Sequence, residues 1–163
     1  WGNQIGWSDI VDKQVGLEKY AGPGRWNDPD MLAVGIKMPV NESRAHFTMW
    51  CMLAAPLMTG NDLRSMTLDT QEILTNKNVI AINQDKLGKQ GFKILDEGNF
   101  EVWQKPLSNR EIAICLFKIK GFKGLYKITN LWKNKVVGNT EKIINLQVSN
   151  RDVVLFKLTP AQK

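Results

Sequence analysis

Two carboxylates flank a proline within a glycine-rich segment, residues 22–32, which reads GPGRWNDPDML. Asp28 and Asp30 are two residues apart, and the proline between them favours extended geometry for the residue before it. Side chains spaced by two along an extended segment face the same side. Such a pair could accept hydrogen bonds from sugar hydroxyls, bind a cation, or hold the backbone amides of neighbouring loops. The residue types leave a structural role and a ligand-contacting role open.

The other residue types that could take part in binding or catalysis are weaker candidates for a functional site. Trp26 and Met31 could form an apolar wall against the C–H face of a pyranose, although either residue alone is more typical of a core. His46 lies in an apolar helical pattern, which predicts a surface or packing role rather than a general base. Cys51 and Cys115 sit in apolar runs typical of buried thiols. No spacing of His and Cys would hold a metal, so we expect no metal site and no cofactor.

The elements that must position the two carboxylates are helices and short strands in alternation. Apolar spacing predicts a helix from Trp7 to Tyr20 with Ser8 or Asp9 as its cap. A second, largely buried helix is expected to start with Asn41 as N-cap and to end at Pro56, followed by a short strand at 57–59. A third begins at Thr67 and continues, with a break, to Ile82. This order is typical of a βα-repeat fold.

The pattern changes to strands at the polar, glycine-bearing join formed by residues 86–91. Alternating or continuous apolar runs predict strands at residues 92–95, 100–103, 111–118, 125–129, 142–148 and 153–158. Turn signals at residues 97–99 and 133–135 separate some of them. The second part of the chain is therefore predicted to be a small antiparallel sandwich.

The basic residues belong mainly to this second part. Residues 1–85 hold 7 Lys and Arg against 10 Asp and Glu, whereas residues 86–163 hold 15 against 6. The lysines alternate with apolar residues at strand spacing, which favours solvated sheet faces over a nucleic-acid-binding surface. No run of eighteen apolar residues occurs, so a membrane span is not expected.

Several motifs, in the same order, resemble the α-galactosidase (melibiase) family of retaining glycoside hydrolases, which also contains α-N-acetylgalactosaminidases. They are AGPGRWNDPDML at 21–32, AAPL at 54–57, NDLR at 61–64, VIAINQD at 79–85, LGKQG at 87–91 and NFEVW at 99–103. The resemblance implies the last βα units of a (β/α)8 TIM barrel over residues 1–88, followed by a C-terminal antiparallel β-sandwich over residues 89–163.

The resemblance implies hydrolysis of terminal α-D-galactosides by a nucleophilic carboxylate and an acid/base carboxylate. Neither is expected in this chain, because no Lys-x-Asp pattern of the family's nucleophile occurs and residues 1–6 contain no carboxylate. Residues 1–6 resemble sequence before the acid/base loop and the segment from Trp7 resembles the helix after it. A loop between Gly6 and Trp7 is therefore expected to be deleted, or omitted from the chain that was determined. The chain alone is predicted to be an inactive fragment of the parent enzyme.

Site roles carry over residue by residue. Asp30 and Met31 match positions that line the galactose pocket. The other matching positions are expected to order or support the loops, and they are Trp26, Asn27, Asp28, Asn61, Asp62 and Arg64.

Three alternatives stay open: a noncatalytic carbohydrate-binding or structural module, a parent α-N-acetylgalactosaminidase and, more weakly, a basic nucleic-acid-binding sandwich. The expected partners are a carbohydrate and the remainder of the barrel, with a homodimer allowed and with neither nucleic acid nor membrane. The compartment is unknown from the residues, and the resemblance favours a secreted, periplasmic or lysosomal protein.

Overall fold

The computed structural model of the protein describes residues 5–97, 100–115, 126–139 and 153–160. Helices and loops make up the first part of the described chain and an antiparallel sheet makes up the rest. The helices are α1 Trp7–Lys13, α2 Val40–Leu53, α3 Leu68–Leu74 and α4 Lys77–Asn83, and short 3-10 turns lie at Glu18–Tyr20, Leu63–Ser65 and Ser108–Arg110.

Helix α1 is shorter than the apolar spacing predicts. It ends at Lys13, and Gly16 then adopts the left-handed conformation with φ of 84°, so the chain turns before the 3-10 turn at 18–20. The expected caps Ser8 and Asp9 are wrong. Gly6 is the N-cap, and its N–H donates to Asp9 Oδ2 at 2.9 Å.

The other helices follow the expected signals more closely. The expected cap Asn41 of helix α2 is wrong, because Pro39 is the N-cap and the helix begins at Val40. The helix ends at Leu53, before Pro56, and Ala54 follows it in a left-handed conformation. Thr67 caps α3 through its side chain, which accepts a hydrogen bond from the Thr70 N–H. The expected break falls between α3 and α4, where Asn76 caps α4.

A parallel bridge joins the two short strand segments around α2. The Leu32 N–H donates to the Met58 carbonyl at 2.7 Å, and the Gly60 N–H donates to the Leu32 carbonyl at 2.9 Å. Helix α2 lies between these segments in sequence, as the crossover helix of a βα unit does. The bridge therefore brings the loop that follows each segment to the same edge.

Six antiparallel strands form one sheet in the described residues. They are β1 Phe92–Glu97, β2 Phe100–Pro106, β3 Ile112–Cys115, β4 Tyr126–Asn130, β5 Lys135–Asn139 and β6 Leu155–Pro160, in the order β1-β2-β3-β6-β4-β5. Strand β5 was not predicted, because residues 133–135 read as a turn. The strand expected at 142–148, the turn residues 98–99 and the end of the strand expected at 111–118 lie outside the described residues.

The sheet packs on helix α2, and the two parts share one core. Trp50, Cys51 and Met52 of α2 are buried together with Trp103 and Cys115 of the sheet. The Gly91 N–H donates to the Met52 carbonyl at 2.8 Å. A Cβ on Gly91 would lie 2.9 Å from that carbonyl oxygen, so this approach requires glycine.

A buried lysine reinforces the junction. Lys105 of β2 is 1% exposed, and its Nζ donates to the Cys51 carbonyl at 2.8 Å. Burial lowers the pKa of Lys105 to about 8, although Cys51 and Asp85 act in the opposite direction. Asp85 in turn accepts hydrogen bonds from the N–H and the hydroxyl of Ser108, which fastens the end of α4 to the sheet.

Candidate functional site

The loop between the 3-10 turn at 18–20 and the parallel bridge holds Asp28 and Asp30 in a defined geometry. Asp28 Oδ1 accepts a hydrogen bond from the Asp30 N–H at 2.9 Å. Asp30 itself has a φ of 81°, in the left-handed region that costs free energy for a residue with a side chain. The two acids are therefore not equivalent: Asp28 holds the backbone from which the Asp30 side chain projects.

One of the two Asp30 carboxylate oxygens is hydrogen-bonded within the protein. Asp30 Oδ1 accepts from the Met31 N–H at 2.7 Å, whereas Oδ2 has no hydrogen bond in the described residues. Asp30 is exposed, and Met31 beside it is 54% exposed. A carboxylate oxygen next to an apolar side chain can meet a hydroxyl and a C–H surface of the same ligand.

Trp50 of α2 contacts this loop from the core. Its indole Nε1 donates to the Asp30 carbonyl oxygen at 2.8 Å, and the side chain is 1% exposed. Both backbone polar groups of Asp30 are thus bonded to side chains. Sequence reasoning missed Trp50 as a site residue, because its helical spacing indicates only a core position.

Asn27 anchors the other end of the loop. Its Nδ2 donates to the Leu17 carbonyl and to Gln90 Oε1, each at 2.8 Å. Gln90 is 3% exposed, and its own amide donates to the Gln14 carbonyl at 3.2 Å. Gln90 was also missed, since a glutamine in a polar join carries no local sign of a partner 63 residues away.

The loop after the second bridge segment lies against the first. A Cβ on Gly60 would lie 4.0 Å from the Met31 side chain. Asn61 bonds the Thr59 hydroxyl through its side chain. Asp62 caps the following 3-10 turn and pairs with Arg64 at 2.8 Å, and the hydrogen bonds from Arg64 lower the pKa of the Asp62 carboxyl. These polar contacts are made within the loop.

The structure places Trp26 differently from Asp30 and Met31. Trp26 is 47% exposed and lines a cavity of about 480 Å³ together with residues from the ends of α2 and α4. Neither Asp30 nor Met31 lines that cavity. The exposed Asp30 carboxylate therefore lies outside the cavity, and Asp30 with Met31 is the candidate site predicted from the sequence.

His46 lies inside the helical layer. The ring stacks on Trp7, with centroids 5.2 Å apart, and meets Trp50 edge to face at 4.0 Å. It is 1% exposed, and neither ring nitrogen has a hydrogen-bond partner in the described residues. Burial lowers its pKa to about 4, with Glu42 acting in the opposite direction. This geometry is that of a neutral packing residue.

The Gly6–Trp7 junction is continuous. Gly6 caps α1, and its carbonyl accepts from the Ile10 N–H at 3.2 Å. The omission form of the missing-loop hypothesis is therefore wrong, because the two residues are also adjacent in the full sequence. Among residues 5–97, 100–115, 126–139 and 153–160, no group of three His, Cys, Asp or Glu could hold a metal ion, and no helix is long and apolar enough to span a membrane.

Two family models match the chain. The model described as α-galactosidase A matches residues 3–85, and the model of the α-galactosidase A C-terminal β-sandwich domain matches residues 88–149. One similar protein, α-galactosidase A from Cellvibrio japonicus, is 41% identical over 176 aligned positions covering 93% of this chain and 43% of the relative. An alignment longer than the 163-residue chain shows that the relative has residues that this chain lacks internally.

Other relatives are similar in extent. An α-N-acetylgalactosaminidase from Gallus gallus is 44% identical, with 88% of this chain and 40% of that protein aligned. The crystal structure of α-galactosidase I from Mortierella vinacea is 31% identical, with a TM-score of 0.89 covering 96% of this chain and 45% of that one. The chain thus spans less than half the length of these relatives. The matches confirm the predicted fold class, barrel βα units followed by an antiparallel β-sandwich, and the chain belongs to the α-galactosidase A family of glycoside hydrolases.

Proposed function

We propose that this chain forms part of the galactose-binding wall of a retaining glycosidase that hydrolyses terminal α-D-galactosides. Asp30 accepts a hydrogen bond from a sugar hydroxyl, and Met31 contacts an apolar face of the sugar. The single observation that carries the proposal is the exposed Asp30 carboxylate, whose Oδ2 is uncommitted while its backbone is fixed by Asp28 and Trp50. Fixed charged acceptors favour hydroxyl-rich ligands, because they need no rearrangement on binding.

The supporting residues have distinct roles in this proposal. Asn27 and Asp28 order the loop that bears Asp30. Asn61, Asp62 and Arg64 shape the neighbouring loop beside Met31. Trp26 lies on the other side of Asp28 in the loop and lines the separate cavity. In this proposal the binding wall belongs to residues 1–88, the barrel part, and the sheet belongs to residues 89–163, the β-sandwich domain.

The nucleophile and the acid/base of the reaction come from outside this chain in the proposed mechanism. A retaining glycosidase needs two carboxyl groups about 5–5.5 Å apart on opposite sides of the scissile bond. In this proposal Asp28 and Asp30 are not that pair, because Asp28 orders the loop through the Asp30 N–H and Asp30 contacts a sugar hydroxyl. The chain alone is therefore inactive, and the remainder of a barrel is its partner.

Two alternatives to α-galactoside hydrolysis stay open for this chain. The similarity to the chicken α-N-acetylgalactosaminidase favours keeping N-acetylgalactosamine as a second sugar. Because neither reacting carboxylate is expected in this chain, a noncatalytic carbohydrate-binding role for the chain on its own also stays open.

A sugar titration tests the proposal. The ¹⁵N-labelled chain is titrated with D-galactose, N-acetylgalactosamine and D-glucose while the amide signals of Asp30 and Met31 are followed. We expect these two amides to shift with D-galactose at a Kd on the order of millimolar, as for a partial site, and not to shift with D-glucose. Asp30→Asn should abolish the response. Equal responses to all three sugars, or an unchanged response in Asp30→Asn, would refute the sugar contact.

A further inference from the structure

The backbone of Asp30 needs an external support. A φ of 81° is sparsely populated for residues other than glycine, and such conformations persist only where the surroundings over-determine them. Asp30 is exposed, so neighbouring side-chain packing contributes little to holding it. The support must come from hydrogen bonds to its N–H and carbonyl groups.

Two side chains make those bonds, in different environments. Asp28 accepts from the Asp30 N–H at 2.9 Å, but Asp28 is exposed and water competes for the same bond. Trp50 donates to the Asp30 carbonyl at 2.8 Å from a side chain that is 1% exposed. A bond made from a buried donor is stronger, and the donor has no other partner if the bond breaks.

Trp50 is itself fixed from several directions. It lies in helix α2, and its carbonyl accepts from the Ala55 N–H at 3.0 Å and from Asn83 Nδ2 at 3.4 Å. Its ring packs against His46 at 4.0 Å. The indole N–H therefore has a position set by the core rather than by the loop.

We propose that Trp50 is a positioning residue whose indole N–H holds the Asp30 carbonyl and so keeps the Asp30 carboxylate in the orientation that meets a sugar hydroxyl. The contact between the Asp30 carboxylate and a sugar hydroxyl rests on the proposed function. Moving the Asp30 carbonyl rotates the peptide that joins Asp30 to Met31. It would thereby break the hydrogen bond between the Met31 N–H and Asp30 Oδ1.

The test compares two tryptophan variants of the full 163-residue chain. Trp50→Phe removes the N–H that reaches Asp30. Trp132→Phe is the matched control, because Trp132 donates its indole N–H at 3.2 Å to the Thr48 hydroxyl on the same helix. Solvent exchange of the Asp30 and Met31 amides is measured by NMR in both variants, and D-galactose binding is measured by the titration described above.

We expect exchange of these two amides to become about tenfold faster in Trp50→Phe, as for the loss of one buried hydrogen bond, and to stay unchanged in Trp132→Phe. D-Galactose binding should weaken by a similar factor, because fewer molecules hold the competent loop. Unchanged exchange in Trp50→Phe would overturn the proposal. Equal acceleration in both variants would also overturn it, since the effect would then be global.

The same measurements distinguish failure of the sugar contact from failure of the Trp50 role. If exchange accelerates only in Trp50→Phe while neither the parent chain nor Asp30→Asn responds to D-galactose, the sugar contact is refuted and the holding role of Trp50 is supported. If Trp50→Phe does not fold, Trp50 is replaced with 3-benzothienylalanine, which keeps the bicyclic shape and lacks only the N–H. The same exchange criterion then decides.

Discussion

Asp30 combines a strained backbone with a partly uncommitted carboxylate, and these two properties belong together. Left-handed φ values in residues with side chains concentrate at sites where geometry is part of function. The spacing of Asp28 and Asp30 indicated a shared face, but not that one acid would bond the backbone of the other. A positive φ at Asp30 could not be predicted, because the segment offers glycines at 22 and 24 as the usual left-handed residues.

Substitutions at Asp30 separate the backbone from the side chain. Glycine normally destabilises a chain relative to alanine, but at a φ of 81° glycine is the better fit. We predict that Asp30→Gly is about 1 kcal/mol more stable than Asp30→Ala in urea unfolding. Asp30→Asn should lie near the parent, since asparagine tolerates the conformation and its side-chain oxygen can still accept from Met31. An alanine variant as stable as the glycine variant would contradict this account of the loop.

The helices illustrate what periodicity predicts and where it stops. Helix α2 and the division of the third helix into α3 and α4 followed from apolar spacing and the Thr67 cap. Strand β5 did not, because neighbouring Val136 and Val137 are both exposed and the strand shows no alternation. Contacts such as that of Asn27 with Gln90 join distant segments, which local patterns do not encode.

His46 should make the α1–α2 contact sensitive to acid. Its pKa of about 4 in the fold lies below 6.5, so the unfolded chain binds the proton first as pH falls. Its contribution to stability is complete above pH 6.5 and is lost between pH 6.5 and 4, by about 3 kcal/mol in full. We predict that His46→Leu loses less free energy of unfolding than the parent across this interval, as measured by urea unfolding at successive pH values. Parallel pH profiles would show that His46 does not titrate with folding.

Gln90 should matter more than a glutamine at a polar join usually does. Gln90→Leu removes the acceptor of one N–H of the half-buried Asn27 side chain and one of the two donors to the Gln14 carbonyl in the described residues, so two hydrogen bonds are lost. We predict a loss of about 2 kcal/mol in free energy of unfolding. Gln71→Leu on the exposed surface of α3 is the control and should change stability by less than about 0.5 kcal/mol. Similar losses in both variants would argue against the Gln90 network.

At the scale of the whole molecule, the helical part and the sheet are joined by a continuous core and by buried polar contacts. Trp103 and Cys115 pack with α2, and Lys105 reaches the Cys51 carbonyl. The change from helical to strand patterns near residue 88 was visible in the sequence, and this shared core was not. The sheet therefore supports the same helix that carries Trp50, and through it the loop that bears Asp30.

We propose that this chain completes an α-galactoside site when the rest of a barrel is supplied. The most direct test is a chimera. It joins the N-terminal part of the Cellvibrio japonicus relative, through and including its acid/base loop, to this chain from Trp7 onward. We predict that the chimera hydrolyses 4-nitrophenyl α-D-galactoside, and that Asp30→Asn lowers its kcat/KM about 100-fold, as expected for losing a charged contact to the reacting sugar. A folded chimera without activity, or one in which Asp30→Asn is as active as its parent, would contradict the account.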